Sequence, residues 1–124
     1  MKLANRIVLV LLLSVALVGC KLDLPSPTSG SVHRFEKGAP VSSWQLTERQ
    51  LFALSSWFKE HQSGWSRSYV TYVPKIDVRV VHGGGKQSSI NIWSQKVIVV
   101  TGEDQLVQDF ELSDIQSLLS AVGL

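Results

Sequence analysis

Five short runs between residues 69 and 111 carry strand signals, and the gaps between them limit the fold most. In residues 76–82, Ile76, Val78 and Val80 alternate with Asp77 and Arg79, the period of a sheet covered on one side. Gly83-Gly84-Gly85 then makes a turn, and residues 88–93 alternate again with Ile90 and Ile92 inward. Residues 97–100 are four consecutive apolar residues, which predicts the most buried strand. After a turn at Gly102-Glu103-Asp104, residues 106–111 alternate with Leu106 and Phe110 on one side. Residues 69–73 are β-branched and aromatic and end at Pro74, as an edge strand would. A parallel pair needs a crossover of about a dozen residues or more, so these gaps require antiparallel neighbours.

Helical periodicity flanks this block. In residues 46–61, Leu51, Leu54, Phe58 and His61 recur at three- and four-residue steps, with Trp57 beside them. Thr47 and Gln50 have the spacing of a capping box, Leu46 is placed to staple onto Leu51, and Gly64 lies past the stop. A second helix is predicted over residues 114–122, capped by Ser113 with Gln116, its stripe being Ile115, Leu118, Leu119 and Val122. The expected fold is therefore α+β: a two-layer sandwich in which both helices pack on one face of an antiparallel meander of four or five strands. One domain, residues 42–124, is the right count for this length.

Residues 20–41 are poor in core-forming side chains and hold Pro25, Pro27, Gly30, Gly38 and Pro40. Such a segment buries too little to offset chain entropy, so a flexible stalk is expected, with a mean reach of ~25 Å. A peptide that docks on a partner through Phe35 is the alternative.

Residues 1–19 read as an export signal. Lys2 and Arg6 form a basic start, and residues 7–18 are apolar apart from Ser14. That run is shorter than the roughly 17–25 residues of a membrane-spanning helix. It ends in Leu17-Val18-Gly19-Cys20, which resembles the lipobox of bacterial lipoproteins: an apolar residue, a short side chain, then Gly or Ala before an obligatory Cys. The resemblance implies cleavage between Gly19 and Cys20 and attachment of Cys20 to diacylglycerol. Two or more acyl chains make a stable anchor where one does not. An uncleaved signal anchor, with Cys20 unmodified, is the alternative. By the same resemblance, Lys21 in place of Asp after the Cys implies the periplasmic face of the outer membrane, or the cell membrane in a Gram-positive source. Cys20 is the sole cysteine, so no disulfide can staple the chain.

Of twelve Lys and Arg residues against ten Asp and Glu, the signal removes two, and the remainder balances to zero. A neutral domain has no field to attract nucleic acid. Nor does any motif carry catalysis. His82-Gly83-Gly84-Gly85-Lys86 lacks phosphate-loop spacing, has Gln87 where a hydroxyl belongs, and precedes a strand rather than a helix. His61, His82 and Asp77 fall at no zinc-ligand spacing, and no serine sits in a Gly-x-Ser-x-Gly elbow. No metal, cofactor or small-molecule substrate is expected, and an enzyme is the least favoured reading.

The aromatics suggest binding instead. By parity Trp93 points away from the helices, on the side of Asn91. An open sheet face carrying Trp93, Arg79 and Tyr72, with Trp65 and the Gly84 tip as further contacts, is the expected protein-binding surface. The chain then reads as an accessory or assembly lipoprotein of the envelope, or alternatively as an inhibitor or immunity protein that meets a secreted hydrolase through the Gly83-Gly84-Gly85 tip.

Overall fold

The alternation in residues 76–93 produces the hairpin it predicts. The computed structural model describes residues 19–102 and 104–124; residues 1–18, all but the last residue of the expected export signal at 1–19, and Glu103 lie outside the described residues. Strand β4 (Ile76–His82) and strand β5 (Gln87–Trp93) pair antiparallel with Val78 opposite Ile90, across a 3-10 turn at Gly83–Gly85. Strand β6 (Lys96–Val100) continues the meander, and its Val97, Ile98 and Val99 are buried, as four consecutive apolar residues require. Strand β7 (Gln105–Asp109) follows, with Leu106 opposite Val99.

The sheet is larger than expected, with seven strands rather than four or five. The segment read as a flexible stalk forms two of them. Strand β1 (Pro27–Glu36) pairs on one side with strand β2 (Ala39–Gln45) and on the other with β4. Lys37 and Gly38 both have positive φ, 50° and 80°, the backbone of a two-residue type I′ hairpin turn. Pro27 opens β1 and Pro40 lies in β2 at the sheet edge, both places where a missing N–H breaks no ladder. Val32 is the one strongly apolar core residue that β1 contributes, at 0% exposure. Gly30 is small for a reason: a Cβ there would stand 2.9 Å from Leu46 Cδ1 and 3.2 Å from the Arg79 carbonyl oxygen.

The remaining new strand, β3 (Ser66–Arg67), pairs with β7 and gives the order β2-β1-β4-β5-β6-β7-β3, antiparallel throughout. Residues 69–73, expected to be a strand, form none.

Helix α1 (Glu48–Glu60) has the predicted capping box: Gln50 N–H donates to Thr47 Oγ1 at 3.2 Å, and Thr47 N–H donates to Gln50 Oε1 at 2.9 Å. Helix α2 (Leu112–Ala121) starts earlier than the sequence suggests. Glu111 is its N-cap, without a side-chain bond, and the Glu111 carbonyl already accepts from Asp114 and Ile115 N–H. Ser113 therefore lies inside the first turn. Leu51, Leu54, Trp57 and Phe58 of α1 and Ile115 and Leu118 of α2 share one core with Val32, Val78, Val80, Ile90, Ile92, Val97, Val99 and Leu106 of the sheet. These sheet residues occupy one face, so both helices lie on the same side.

Three indole N–H groups tie the elements together, one between the two helices and two between the helices and the strand side. Trp44 donates to the Val122 carbonyl at 2.9 Å, Trp57 to Asp114 at 3.1 Å and Trp65 to His61 at 2.7 Å. The His61 and Val122 carbonyls lie at the C-caps of α1 and α2, where helix carbonyls would otherwise lack partners, whereas the Asp114 carbonyl in the first turn of α2 takes the Trp57 bond as an additional one.

Because β1 sits between β2 and β4, removing it exposes the β4 edge and the core beside Val32. A chain starting at Ser42 is expected to lose cooperative urea unfolding, followed by tryptophan fluorescence, while a chain starting at Cys20 keeps it.

Candidate functional site

Strand register assigns the face opposite the helices. Across it run two rows: Ser43, His33, Asp77, Asn91, Ile98 and Val107; and Gln45, Ser31, Arg79, Ser89, Val100 and Gln105. The β2 to β5 half is polar and internally bonded. Arg79 Nε donates to Asp77 Oδ2 at 2.9 Å, the Ser89 hydroxyl donates to Asp77 Oδ1, and Ser31 Oγ lies 2.9 Å from His33 Nε2. Asp77 is 6% exposed, and its two bonds compensate the burial of a carboxylate. Asn91 Oδ1 beside it is buried with no partner among the described residues.

The β6 to β7 half is apolar and covered. Ile98 is 1% exposed although it faces away from the helices. The cover is the segment 68–75, which must travel from β3 at one edge to β4 in the middle of the sheet. Gln105 faces this side, and its Nε2 donates to the Val70 carbonyl at 2.7 Å, which sets the crossing on the open face. Phe35 N–H donates to the Lys75 carbonyl at 2.9 Å where the crossing ends. This strap replaces the expected strand. It satisfies few of its own backbone groups within the sheet, so it leaves Tyr69, Val70 and Val73 strongly exposed, at 90%, 60% and 66%.

Trp93 stands at the end of β5 on this face and is 44% exposed, as parity predicts. Its β6 neighbour Lys96 donates to Asp109 Oδ1 at 2.9 Å. The Asp109 hydrogen bond holds the Lys96 ammonium above the ordinary lysine value of 10.5, against partial desolvation; the Asp109 charge and the nearby Tyr72 phenol add to the rise. Tyr72 is half-buried, which places the strap against Lys96.

The predicted binding residues thus divide. Trp93, Arg79 and Tyr72 share the open face, with Trp93 and Arg79 about four residues apart along adjacent strands, roughly 14 Å. Trp65 does not join them. It is 0% exposed, stacks on Phe58 and meets Phe110 edge-on, because its place just before β3, bridged to Cys20, turns the ring into the core. Gly84 lies at the far end of the β4–β5 hairpin from Trp93, so it belongs to a separate surface.

Cys20 is exposed, but the chain after it is docked rather than free. Cys20 N–H donates to the Trp65 carbonyl at 2.7 Å and Trp65 N–H returns a bond at 3.1 Å. Leu22 is buried, and its N–H donates to the Gln62 carbonyl at 2.7 Å. Among the described residues no helix is long and apolar enough to cross a membrane.

The histidines are placed apart. His61 Nδ1 donates to the Trp57 carbonyl at 2.7 Å, its ring stacks on Trp57, and its Nε2 lies 3.5 Å from Asp114 Oδ1. His82, 3% exposed, makes a buried serine–imidazole pair that the spacing hid, where the Ser31–His33 pair lies on the open face: Nδ1–H donates to the Pro25 carbonyl at 2.7 Å, and Ser88 O–H donates to Nε2 at 2.8 Å. Both ends of the imidazole are consumed inside the fold, and Ser88 is 7% exposed. The pair latches the arm at Pro25 to the sheet. No periodicity signals it, since Pro25 and His82 are far apart in sequence.

Two outcomes test these assignments. Ser88→Ala removes the donor to a buried imidazole nitrogen and should cost about 1–3 kcal/mol by urea unfolding. Lys96→Met should lower stability by at most about 1 kcal/mol for so exposed a pair. Because the folded Lys96 value is raised, that difference should stay level through neutral pH and vanish only as pH climbs past the ordinary lysine range. Comparison with family models, with curated proteins and with solved structures finds no match for this chain.

Proposed function

We propose that the protein is a lipid-anchored lipoprotein of the bacterial envelope whose open sheet face binds another protein, in an accessory or assembly role without catalysis. The observation that carries this reading is the Leu17-Val18-Gly19-Cys20 sequence behind a basic start and a short apolar run. The exposure of Cys20 supports it, since the thiol must be reachable for acylation. Lys21 favours the periplasmic face of the outer membrane, with the cell membrane as the Gram-positive counterpart. The half-exposed Trp93, on the same face as the bonded Asp77–Arg79 pair, supports a protein partner, because a large aromatic ring on a face with fixed polar groups is the usual composition of an interface anchor. The neutral charge of the processed chain argues against nucleic acid.

A second reading, an inhibitor or immunity protein, is favoured by the Gly83–Gly85 tip. All three glycines are exposed, and no heavy atom stands within 4 Å of a Cβ built on any of them, as a probing loop would need.

Metabolic labelling with a palmitate analogue should mark the wild-type chain and leave Cys20→Ser unmarked; label persisting in Cys20→Ser rejects the anchor. A photo-crosslinking residue at position 93 should capture an envelope protein in living cells, and Trp93→Ala should weaken that association by about tenfold or more. Capture from position 84 but not from 93 would instead favour the inhibitor reading.

A further inference from the structure

We infer that the β3 edge of the sheet lies directly on the bilayer, so that the domain stands edge-on to the membrane rather than at the end of a tether. This deepens the lipoprotein reading and rests on it.

Three observations converge on that edge. The chain outside the described residues, eighteen residues with an apolar run from Ile7, joins the fold there. With that run cut away and Cys20 acylated, the bilayer meets the chain at Cys20 itself. Next, Cys20 is fixed. Its two backbone hydrogen bonds go to Trp65, a residue with 0% exposure whose indole N–H is itself bonded to the His61 carbonyl. Acylation of the Cys20 nitrogen leaves one amide N–H, so the bond to the Trp65 carbonyl survives processing. With Leu22 buried two residues on, no free length remains to lift the domain.

The third observation is the surface beside the anchor. Tyr69 and Val70 follow β3 directly, at 90% and 60% exposure, within about 13–17 Å of Trp65 along the chain even if fully extended. An exposed tyrosine next to an aliphatic side chain suits the headgroup boundary, where an aromatic body is apolar and its hydroxyl stays wet. Lys21 follows the anchor directly, and Arg67 Nη2 of β3 lies 3.9 Å from Asp104 Oδ1.

The test uses the full chain in membranes of the producing cells. With the Cys20 sulfur held in a thioether, Tyr69→Cys supplies the sole free thiol for an environment-sensitive fluorophore. Ser43→Cys on β2 is the control, five to six strand spacings away, about 24–29 Å. Both positions are exposed, so neither substitution threatens folding. Nitroxide-bearing phosphatidylcholine should remove most of the emission from position 69 and leave position 43 unquenched. Equal quenching at the two positions, with palmitate label intact on Cys20, overturns the edge-on placement alone. A blue-shifted label at 69 that lipid nitroxides do not quench also overturns it, by putting a protein on this edge. Loss of the palmitate label overturns the anchor reading and this inference together.

Discussion

Trp65 is the junction on which the rest of the molecule depends. Its ring is fully enclosed between Phe58 and Phe110, its indole N–H satisfies the carbonyl of His61 at the end of α1, and its backbone holds Cys20. One residue thereby fixes the end of a helix, the last strand of the sheet and the point where the chain enters the fold. A buried aromatic of this size removes a large apolar area from water, and its polar handle then selects one orientation. Trp44 and Trp57 repeat the device at α2, one near each end. With a single cysteine the chain has no internal disulfide, and these side-chain-to-backbone bonds do the cross-linking between elements.

What could be read in advance was whatever has a period. The meander from Ile76 to Asp109 and helix α1 with its Thr47 cap follow from alternation, from three- and four-residue spacing and from turn residues. Strand β1 was illegible because its inward positions are Gly30, Val32 and Arg34, of which only Val32 looks like core. Gly30 is there to admit Leu46, a reason that exists only once the two are in contact. Proline and glycine in residues 25–40 mimic a linker, yet Pro27, Gly38 and Pro40 fall where a strand start, a turn and an edge accept them. Low hydrophobicity is thus a poor guide when a segment is held by ladder bonds on both sides rather than by its own side chains.

The site shows the same limit. Parity placed Trp93, Arg79 and Asp77 on the face away from the helices, because period-two geometry needs no tertiary information. It could not show that residues 68–75 cross that face, since a crossing is a property of strand order. The β-branched and aromatic content of 69–73 suits a strand, but the path from β3 to β4 requires a diagonal, and topology overrides propensity. The strap divides the face into a covered apolar half around Ile98 and an open polar half around Asp77, with Trp93 at the margin.

That division and the docking of residues 20–25 bear on each other. A stalk of ~25 Å would let a domain sample many orientations and present any surface to a partner. Here the arm is committed at Cys20, at Leu22 and at Pro25, whose carbonyl is held by the buried His82–Ser88 pair. On the edge-on placement inferred above, both broad faces would stand perpendicular to the bilayer and the polar half with Asp77, Arg79 and Trp93 would open sideways. A partner reaching it would then be one diffusing or anchored in the same membrane plane. The strap shares in both relations: its first residues, Tyr69 and Val70, leave the anchored edge, and Tyr72 reaches Lys96 beside Trp93.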